Sequence, residues 1–300
     1  MSYRATLKRY LLILEKVSRS PYPSLQQLKE MLNSHDLFCS DRTIQRDLES
    51  IRDEFGIKII YDRTCRGYRL DDTNSLNQET FIRFLETVHL ADLLGNSLKN
   101  SQTALSFVQF ENTGALQGIH WLKDFLRAVN EHRRIVFTHE NYQKETVKQV
   151  RLNPYLIKEY QSRWYIVGIP EGMTEFRTYG IDRISDLQVL HEKFRYRKAD
   201  DPSAYFDKAI GVVYSGDPPE KVILKFTPLQ GKYVKALPWH TSQTILKEDE
   251  TGLEIQLNVV INYELVRMIL MHGNTVKVVQ PKSLIKEIKK HLQQSIQQYR

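Results

Sequence analysis

With 300 residues, a net charge of +7 and a pI near 9.2, the chain predicts about two or three globular domains and favours a polyanionic partner. No apolar run approaches the roughly 18 residues of a membrane span, and Met1–Arg19 alternates charge with leucine rather than forming a signal peptide, so we expect a cytoplasmic protein with no membrane partner. Only Cys39 and Cys65 are present, which excludes a disulfide framework and a cysteine-rich metal site, and we expect no metal and no cofactor.

The N-terminal residues predict two amphipathic helices. Leu7, Leu11 and Leu14 recur at helical spacing within Ser2–Val17. After two prolines, Ser24–Gln27 has the S-x-x-Q pattern of a capping box, in which the serine and glutamine side chains each bind a backbone N–H group. We expect this box to begin the second helix.

Residues Ser40–Leu70 predict a third helix followed by a β-hairpin. Ser40 is a favourable N-cap, and Gly56 can adopt the left-handed conformation that ends a helix. Four apolar residues between them form one stripe at helical spacing: Ile44, Leu48, Ile51 and Phe55. Two β-rich runs then flank the polar tip Asp62–Arg66. Three short helices and a hairpin form a winged helix-turn-helix, whose third helix enters the major groove of DNA.

The third helix and the hairpin carry the candidate DNA contacts. Arg42, Gln45 and Arg46 lie opposite the apolar stripe, and arginine and glutamine can bond to base edges. Taken alone these are ordinary solvated charges, but the capped helices upstream favour DNA binding. The predicted DNA-binding residues are Ser40, Arg42, Thr43, Gln45, Arg46, Arg63, Arg66 and Tyr68.

Two motifs in this region carry a family resemblance. Residues Ser40–Leu48 read S-x-R-T-I-x-R-D-L, and Gly67–Leu70 read G-Y-R-L. Together they resemble the winged helix of bacterial DeoR-type regulators. The resemblance implies a double-stranded DNA operator as partner. Because helix-turn-helix proteins usually bind paired half-sites, we also expect a homodimer.

Residues 73–130 are predicted to form a helical linker, with helices at Glu79–Leu98 and around the apolar stripe Trp121, Leu122, Phe125, Leu126 and Val129. These stripes fit either a dimer interface or an ordinary core. From Arg134 onwards six short strands are predicted: Arg134–His139, Thr146–Leu152, Tyr155–Tyr160, Arg163–Ile169, Glu175–Gly180 and Ile184–Val189. Several short strands in succession predict a small barrel or sandwich.

Arginines and aromatic residues alternate within these strands. Such a pattern suits a single-stranded nucleic acid or a nucleotide, because bases stack on rings while guanidinium groups hold phosphate. The residues alone leave open the alternative that the rings fill the barrel and the arginines only decorate it. Strand alternation places Trp164 with Ile166, which we expect to be core, and Tyr165 with Arg163 on the other face.

Three motifs resemble the WYL domain: N-P-Y-L at Asn153–Leu156, R-W-Y-I-V-G at Arg163–Gly168 and R-T-Y-G-I-D-R-I at Arg177–Ile184. The resemblance implies an Sm-like β-barrel that senses a nucleic-acid fragment or nucleotide. This chain departs from the family in having Ile166 for leucine and His139 where members often carry tyrosine. The expected effector-binding residues are His139, Tyr155, Arg163, Tyr165, Arg177, Tyr179 and Arg183.

The C-terminal residues predict alternating strands and helices. From Glu220 the order is βαββαβ, the ferredoxin-like pattern, and a final helix is predicted at Lys282–Tyr299. Leu270–Gly273 and Val276–Pro281 also resemble the C-terminal extension that commonly follows WYL domains.

We therefore predict a multidomain α+β protein. Residues 1–72 form a winged helix-turn-helix DNA-binding domain, 73–130 a helical linker, 131–198 a WYL effector-sensing domain, and 199–300 a ferredoxin-like C-terminal extension. The predicted function is transcriptional regulation, and no enzyme is expected because no catalytic motif of the common classes occurs. The alternatives are a nucleic-acid-processing accessory protein and a regulator that senses a small metabolite.

Overall fold

The computed structural model describes residues 3–20, 22–71, 81–82, 84–89, 117–142, 145–197 and 200–299. The chain divides into two compact units, Met1–Glu111 and Asn112–Arg300. Across the described ranges, no helix is long and apolar enough to cross a membrane.

The first unit contains three helices followed by a two-stranded antiparallel hairpin. They are α1 (Tyr3–Arg19), α2 (Leu25–Ser34), α3 (Asp41–Phe55), β1 (Ile59–Asp62) and β2 (Gly67–Leu70). The predicted capping box is confirmed, since Ser24 Oγ accepts from the Gln27 N–H at 3.2 Å and Gln27 Oε1 accepts from the Ser24 N–H at 2.8 Å. The predicted ends of α3 are also confirmed: Ser40 caps its start, and Gly56 ends it with φ of 69°.

The core of this unit includes residues that the sequence analysis assigned to the linker. Residues 81–82 and 84–89 are helical. Leu85 is buried in the same cluster as Ile44 and Leu48, and the Phe81 ring stacks on Phe55 with centroids 4.0 Å apart. The described part of the predicted helix Glu79–Leu98 therefore contributes to an ordinary core; the remainder of that helix lies outside the described residues.

The second unit begins with a helix and a five-stranded antiparallel sheet. A 3-10 turn precedes α4 (Leu122–Asn130), and the strands are β3 (Arg133–Asn141), β4 (Thr146–Tyr160), β5 (Arg163–Pro170), β6 (Arg177–Gly180) and β7 (Ile184–Lys193). The strand order is β6-β5-β4-β3-β7. The Sm-like closure expected from the WYL resemblance stays a prediction.

The prediction of two strands at Thr146–Leu152 and Tyr155–Tyr160 was wrong, because β4 runs through both. Its pairing with β5 shifts register between Pro154 and Leu156. Proline has no N–H for the ladder and is tolerated in a sheet at such bulges. Asn153 and Pro154 therefore mark an irregularity within one long strand rather than a turn between two.

The core of the sheet is formed against α4. Phe125 and Ala128 are buried with Phe137 and Ile166, and Trp164 packs against this cluster as predicted. Leu126, which was placed on the apolar stripe, is 56% exposed. Residues three and four positions apart share a helix face, so Ala128 occupies the buried position.

The remainder of the second unit is a second sheet covered by helices. After α5 (Ser203–Phe206), the elements are β8 (Glu220–Phe226), α6 (Pro228–Ala236), β9 (Thr244–Asp249), β10 (Gly252–Val259), α7 (Tyr263–Met271), β11 (Val276–Gln280) and α8 (Lys282–Gln297). The antiparallel strand order is β11-β8-β10-β9. The predicted βαββαβ succession is confirmed.

An aromatic cluster joins the two sheets of the second unit. Tyr155 of β4 and Phe176, which precedes β6, are buried with Phe206 of α5 and Val260, which follows β10. The Val260 N–H donates to the Lys208 carbonyl at 2.7 Å. The segment between the sheets is thus packed against both of them.

Candidate functional site

The exposed face of α3 presents the predicted base-reading side chains. Arg42, Gln45 and Arg46 are all exposed. Ser40 and Thr43 are instead occupied by the helix cap: Ser40 Oγ accepts from the Thr43 N–H at 3.2 Å and lies 3.0 Å from Thr43 Oγ1. Three of the five predicted residues in this helix region therefore point outward, and two fix the start of the helix.

An ion pair that the sequence analysis missed anchors the middle of α3. Arg9 Nε lies 2.6 Å from Asp47 Oδ2, and Arg9 Nη2 lies 3.0 Å from Asp47 Oδ1. The hydrogen bonds that the Arg9 guanidinium donates to the Asp47 carboxylate raise the pKa of Arg9. The sequence held one signal, since Asp47 occupies a position of the apolar stripe three residues after Ile44 and four before Ile51.

The β1–β2 hairpin presents two arginines at its tip. Arg63 and Arg66 are exposed, and the Asp62 carboxylate shapes the turn by accepting from the Thr64 and Cys65 N–H groups at 2.8 and 2.9 Å. This geometry leaves both guanidinium groups available for phosphate oxygens.

Tyr68 of β2, which was also predicted to contact DNA, is half-buried and packs against the core. Its ring lies edge-on to Tyr61 at 5.2 Å, and its N–H donates to the Pro23 carbonyl. Gly67 permits this approach, because a Cβ there would lie 1.9 Å from the Tyr22 carbonyl oxygen.

The second unit contains a cleft of about 1200 Å³. Five of the seven predicted effector-binding residues line it: His139, Tyr165, Arg177, Tyr179 and Arg183. They come from β3, β5, β6 and the turn after β6. The fold thus brings together on one surface residues that lie up to about 40 positions apart in the sequence.

Two predicted effector-binding residues lie apart from the cleft. Tyr155 is only 8% exposed, and its ring packs between Phe176 and Phe194 with centroid distances of 5.2 Å. Arg163 is exposed, and its guanidinium lies 3.7 Å from Asp182. Tyr155 therefore contributes to the core, and Arg163 lies outside the lining.

The cleft is electropositive. Lys148, Arg151, Arg177 and Arg183 line it, against one carboxylate, that of Glu171. Arg183 has a longer ion pair with Asp182, at 3.9 Å. Arg177 and Arg151 have closer carboxylate partners, at 2.9 Å from Arg177 to Glu175 and 2.6 Å from Arg151 to Glu192. Both pairs are substantially exposed, and exposed pairs contribute only about 0–1 kcal/mol, so a phosphate can replace the carboxylate at little cost.

Gly180 makes room for Arg183 at the cleft. A Cβ at position 180 would lie 2.5 Å from Asp182 Oδ1 and 2.9 Å from Arg183 Nη2. The Arg183 guanidinium also lies over the Tyr142 ring, 5.2 Å from its centroid. This close approach fixes a planar cation that can bind phosphate through two hydrogen bonds.

His139 presents a buried imidazole at the cleft. Its ring is 8% exposed and lies edge-on to Tyr179 at 5.0 Å. Burial lowers the pKa of His139, and the positive charge of Arg183 lowers it further. Within the described structure, His139 Nε2 and Thr178 Oγ1 are buried without a hydrogen-bond partner. Because buried polar atoms are normally hydrogen-bonded, these two atoms are candidate ligand contacts.

Several lining residues were missed by the sequence analysis. Lys148 lies directly opposite His139 in the β3–β4 ladder, so knowledge of the register would have identified it. Thr178 belongs to the R-T-Y-G-I-D-R-I motif of the WYL resemblance, but it was not among the predicted effector-binding residues. Tyr214 and Tyr263 also line the cleft, and no local pattern connects them with the strands.

Comparisons with known protein families match two consecutive segments of the second unit, one for each of its sheets. A WYL domain model matches residues 120–189, and a WCX domain model matches residues 218–296. Among solved structures, proteasome accessory factor B/C (PafBC) of Arthrobacter aurescens is 18% identical with a TM-score of 0.33, and the match covers 96% of this chain and 46% of that one. This chain thus spans about half the length of PafBC.

A CRISPR Cas-related protein is 14% identical with a TM-score of 0.39, and the match covers 98% of this chain and 84% of that one. The two family models cover most of the second unit, one after the other and without overlap. Residues 120–189 therefore match the WYL domain, and residues 218–296, later in the chain, match the WCX domain.

Proposed function

We propose that this protein is a DNA-binding transcriptional regulator whose cleft in the WYL domain binds a nucleic-acid-derived effector. The observation that carries the proposal is the outward face of α3. There Arg42, Gln45 and Arg46 are exposed on a helix that is capped at both ends and anchored in its middle by Arg9 and Asp47.

The first unit is suited to double-stranded DNA. An exposed arginine and glutamine face can bond to base edges in the major groove, while Arg63 and Arg66 at the tip of the wing can neutralise phosphates. Helix-turn-helix proteins usually bind paired half-sites. We therefore propose a DeoR-type winged helix that binds its operator as a homodimer.

The cleft of the second unit is suited to a single-stranded nucleic acid or a nucleotide. Cations that can hold phosphates lie beside Tyr165 and Tyr179. The two buried polar atoms, His139 Nε2 and Thr178 Oγ1, can bond to a base edge or a sugar. The volume of about 1200 Å³ exceeds the usual range for small-molecule pockets, roughly 300–1000 Å³, and so favours a short oligonucleotide over a mononucleotide.

Genome-wide footprinting of the full-length protein tests the DNA-binding proposal. We expect wild type to protect discrete sites that contain paired half-sites. The double variant Arg42→Ala/Arg46→Ala should lose these sites. The matched control Arg52→Ala removes an exposed arginine from the last turn of the same helix, and it should retain them.

Far-ultraviolet circular dichroism should confirm that both variants fold. Footprints that persist in Arg42→Ala/Arg46→Ala would show that α3 does not read the operator. Wild-type protein that protects no discrete site would exclude an operator-binding regulator.

A further inference from the structure

The cleft has a second wall that does not belong to the five-stranded sheet. Val212, Val213 and Tyr214 come from the segment between the two sheets, and Tyr263 is the first residue of α7. The WYL match ends at residue 189 and the WCX match begins at 218, so three of these four residues lie outside both. None of the four side chains is charged, in contrast to the cationic sheet wall.

Two buried polar side chains fasten this wall to α7. The Glu264 carboxylate is 7% exposed, and its Oε1 accepts from the Val212 and Val213 N–H groups, both at 3.1 Å. Asn262 Nδ2 donates to the Ile210 carbonyl at 2.7 Å, and Asn262 Oδ1 caps α7 by accepting from the Leu265 N–H. The start of α7 therefore holds the backbone of residues 210–213 at three points.

A glycine makes this contact possible. Gly211 has φ of +88°, and a Cβ there would lie 2.3 Å from Glu264 Cγ. A side chain at position 211 would therefore be strained in its backbone and would also displace the glutamate. The 210–213 segment and the start of α7 are therefore in close contact beside the cleft.

Asn262 and Glu264, which bind the 210–213 segment, flank Tyr263 in the sequence. Asn262 and Glu264 both turn inward to bind the 210–213 segment, and Tyr263 between them is 63% exposed at the cleft. Tyr214, by contrast, is packed between Tyr205 and Phe176, with ring centroids 4.3 and 5.3 Å away. Tyr263 is thus the ring of this wall with an accessible face.

We propose that Tyr263 stacks on a base of the effector and that Asn262 and Glu264 are positioning residues that hold Tyr263 at the cleft. The inference rests on the proposed effector class. Phosphates lie against the cationic sheet wall around Arg177 and Arg183, while a base lies on the Tyr263 ring. The effector therefore bridges the WYL and WCX domains, and the WCX domain supplies part of the site.

Oligonucleotides with and without bases separate stacking from phosphate binding. Fluorescence anisotropy should be measured for a labelled single-stranded oligodeoxynucleotide and for an abasic strand of equal length. The full-length protein should carry Arg42→Ala and Arg46→Ala, so that the winged helix contributes little to binding.

In this background, Tyr263→Ala should bind the base-containing strand about tenfold more weakly, the range expected when one stacked base is lost. Its affinity for the abasic strand should be unchanged. Tyr263→Phe keeps the ring and should bind both strands as the parent does. Glu264→Ala should also lose the tighter binding of the base-containing strand over the abasic strand. Glu264→Gln should keep it, because its amide oxygen can still accept from the two N–H groups.

The inference fails, and the proposed function survives, if Tyr263→Ala binds the base-containing strand as tightly as the parent while Arg177→Ala/Arg183→Ala does not bind. Equal losses of affinity for both strands in Tyr263→Ala would also overturn stacking, as would a tenfold loss in Tyr263→Phe. A parent protein that binds neither strand would overturn the proposed effector class together with this inference.

Discussion

Arg9 and Asp47 form a buried bidentate ion pair that joins α1 to the middle of α3. Their side chains are 3% and 2% exposed. Removal of one partner leaves a charge buried without compensation, which typically costs about 3–5 kcal/mol. The orientation of the helix that carries Arg42 and Arg46 thus depends on a contact on its opposite face.

Asp47→Ala should therefore lower the free energy of unfolding of the first unit by about 3–5 kcal/mol. Urea denaturation of the full-length protein, followed by circular dichroism, measures this change. Asp53→Ala is the matched control, because the Arg52–Asp53 pair is exposed and exposed ion pairs contribute little to stability. Similar small effects from both substitutions would contradict the structural role of Arg9 and Asp47.

Arg63 and Arg66, at the tip of the β1–β2 hairpin, should bind phosphates rather than bases. Arg63→Ala and Arg66→Ala should each weaken binding to all operator sequences alike, and each should reduce the slope of log affinity against log salt by about 1. Titrations at several salt concentrations measure the slope. A change of sequence preference with an unchanged slope would assign these residues to base recognition instead.

The cleft arginines should be needed for effector binding but not for operator binding. Arg177→Ala/Arg183→Ala should lose affinity for a single-stranded oligonucleotide while retaining wild-type affinity for the operator duplex. Arg163→Ala is the matched control, since Arg163 is an exposed arginine of the same sheet outside the cleft. If Arg163→Ala causes the greater loss, the effector binds elsewhere on the sheet.

His139 should make the stability of the second unit depend on pH. Its pKa in the folded protein is lowered by burial and by Arg183, so the unfolded chain, with a pKa of about 6.5, binds the proton more readily. Its contribution is therefore fully present above about pH 6.5 and is lost as pH falls below that value.

Thermal denaturation between pH 5 and pH 8 should show this loss in wild type. His139→Gln should have a weaker dependence on pH in the same range. His272, whose pKa is also lowered by burial, remains in both proteins and serves as an internal constant. Identical pH profiles for the two proteins would exclude His139 as the titrating group.

Elements whose limits are set by local chemistry were predicted correctly from the sequence. The capping box at Ser24 and the ends of α3 at Ser40 and Gly56 depend on side chains within a few residues of each helix end. The βαββαβ succession likewise follows from the periodicity of successive segments. These features need no knowledge of tertiary contacts.

Features that depend on tertiary packing were not predicted. Pro154 was interpreted as a break between strands, but pairing with β5 carries β4 through it as a bulge. Tyr155 belongs to a recognised motif, yet its ring is buried against Phe194. Tyr263 lines the cleft beside Glu264, which binds a segment about 50 residues earlier in the chain, and hydrophobic periodicity does not predict such a contact.

We propose that an effector in the cleft controls operator binding by the winged helix. The most direct test is the affinity for an operator duplex, identified by footprinting, with and without a saturating single-stranded oligonucleotide. The oligonucleotide should change the affinity of wild type by at least about fivefold, the lower end of typical allosteric coupling, and should leave that of Arg177→Ala/Arg183→Ala unchanged. An unchanged wild-type affinity, or an equal change in both proteins, would contradict control of operator binding by an effector in the cleft.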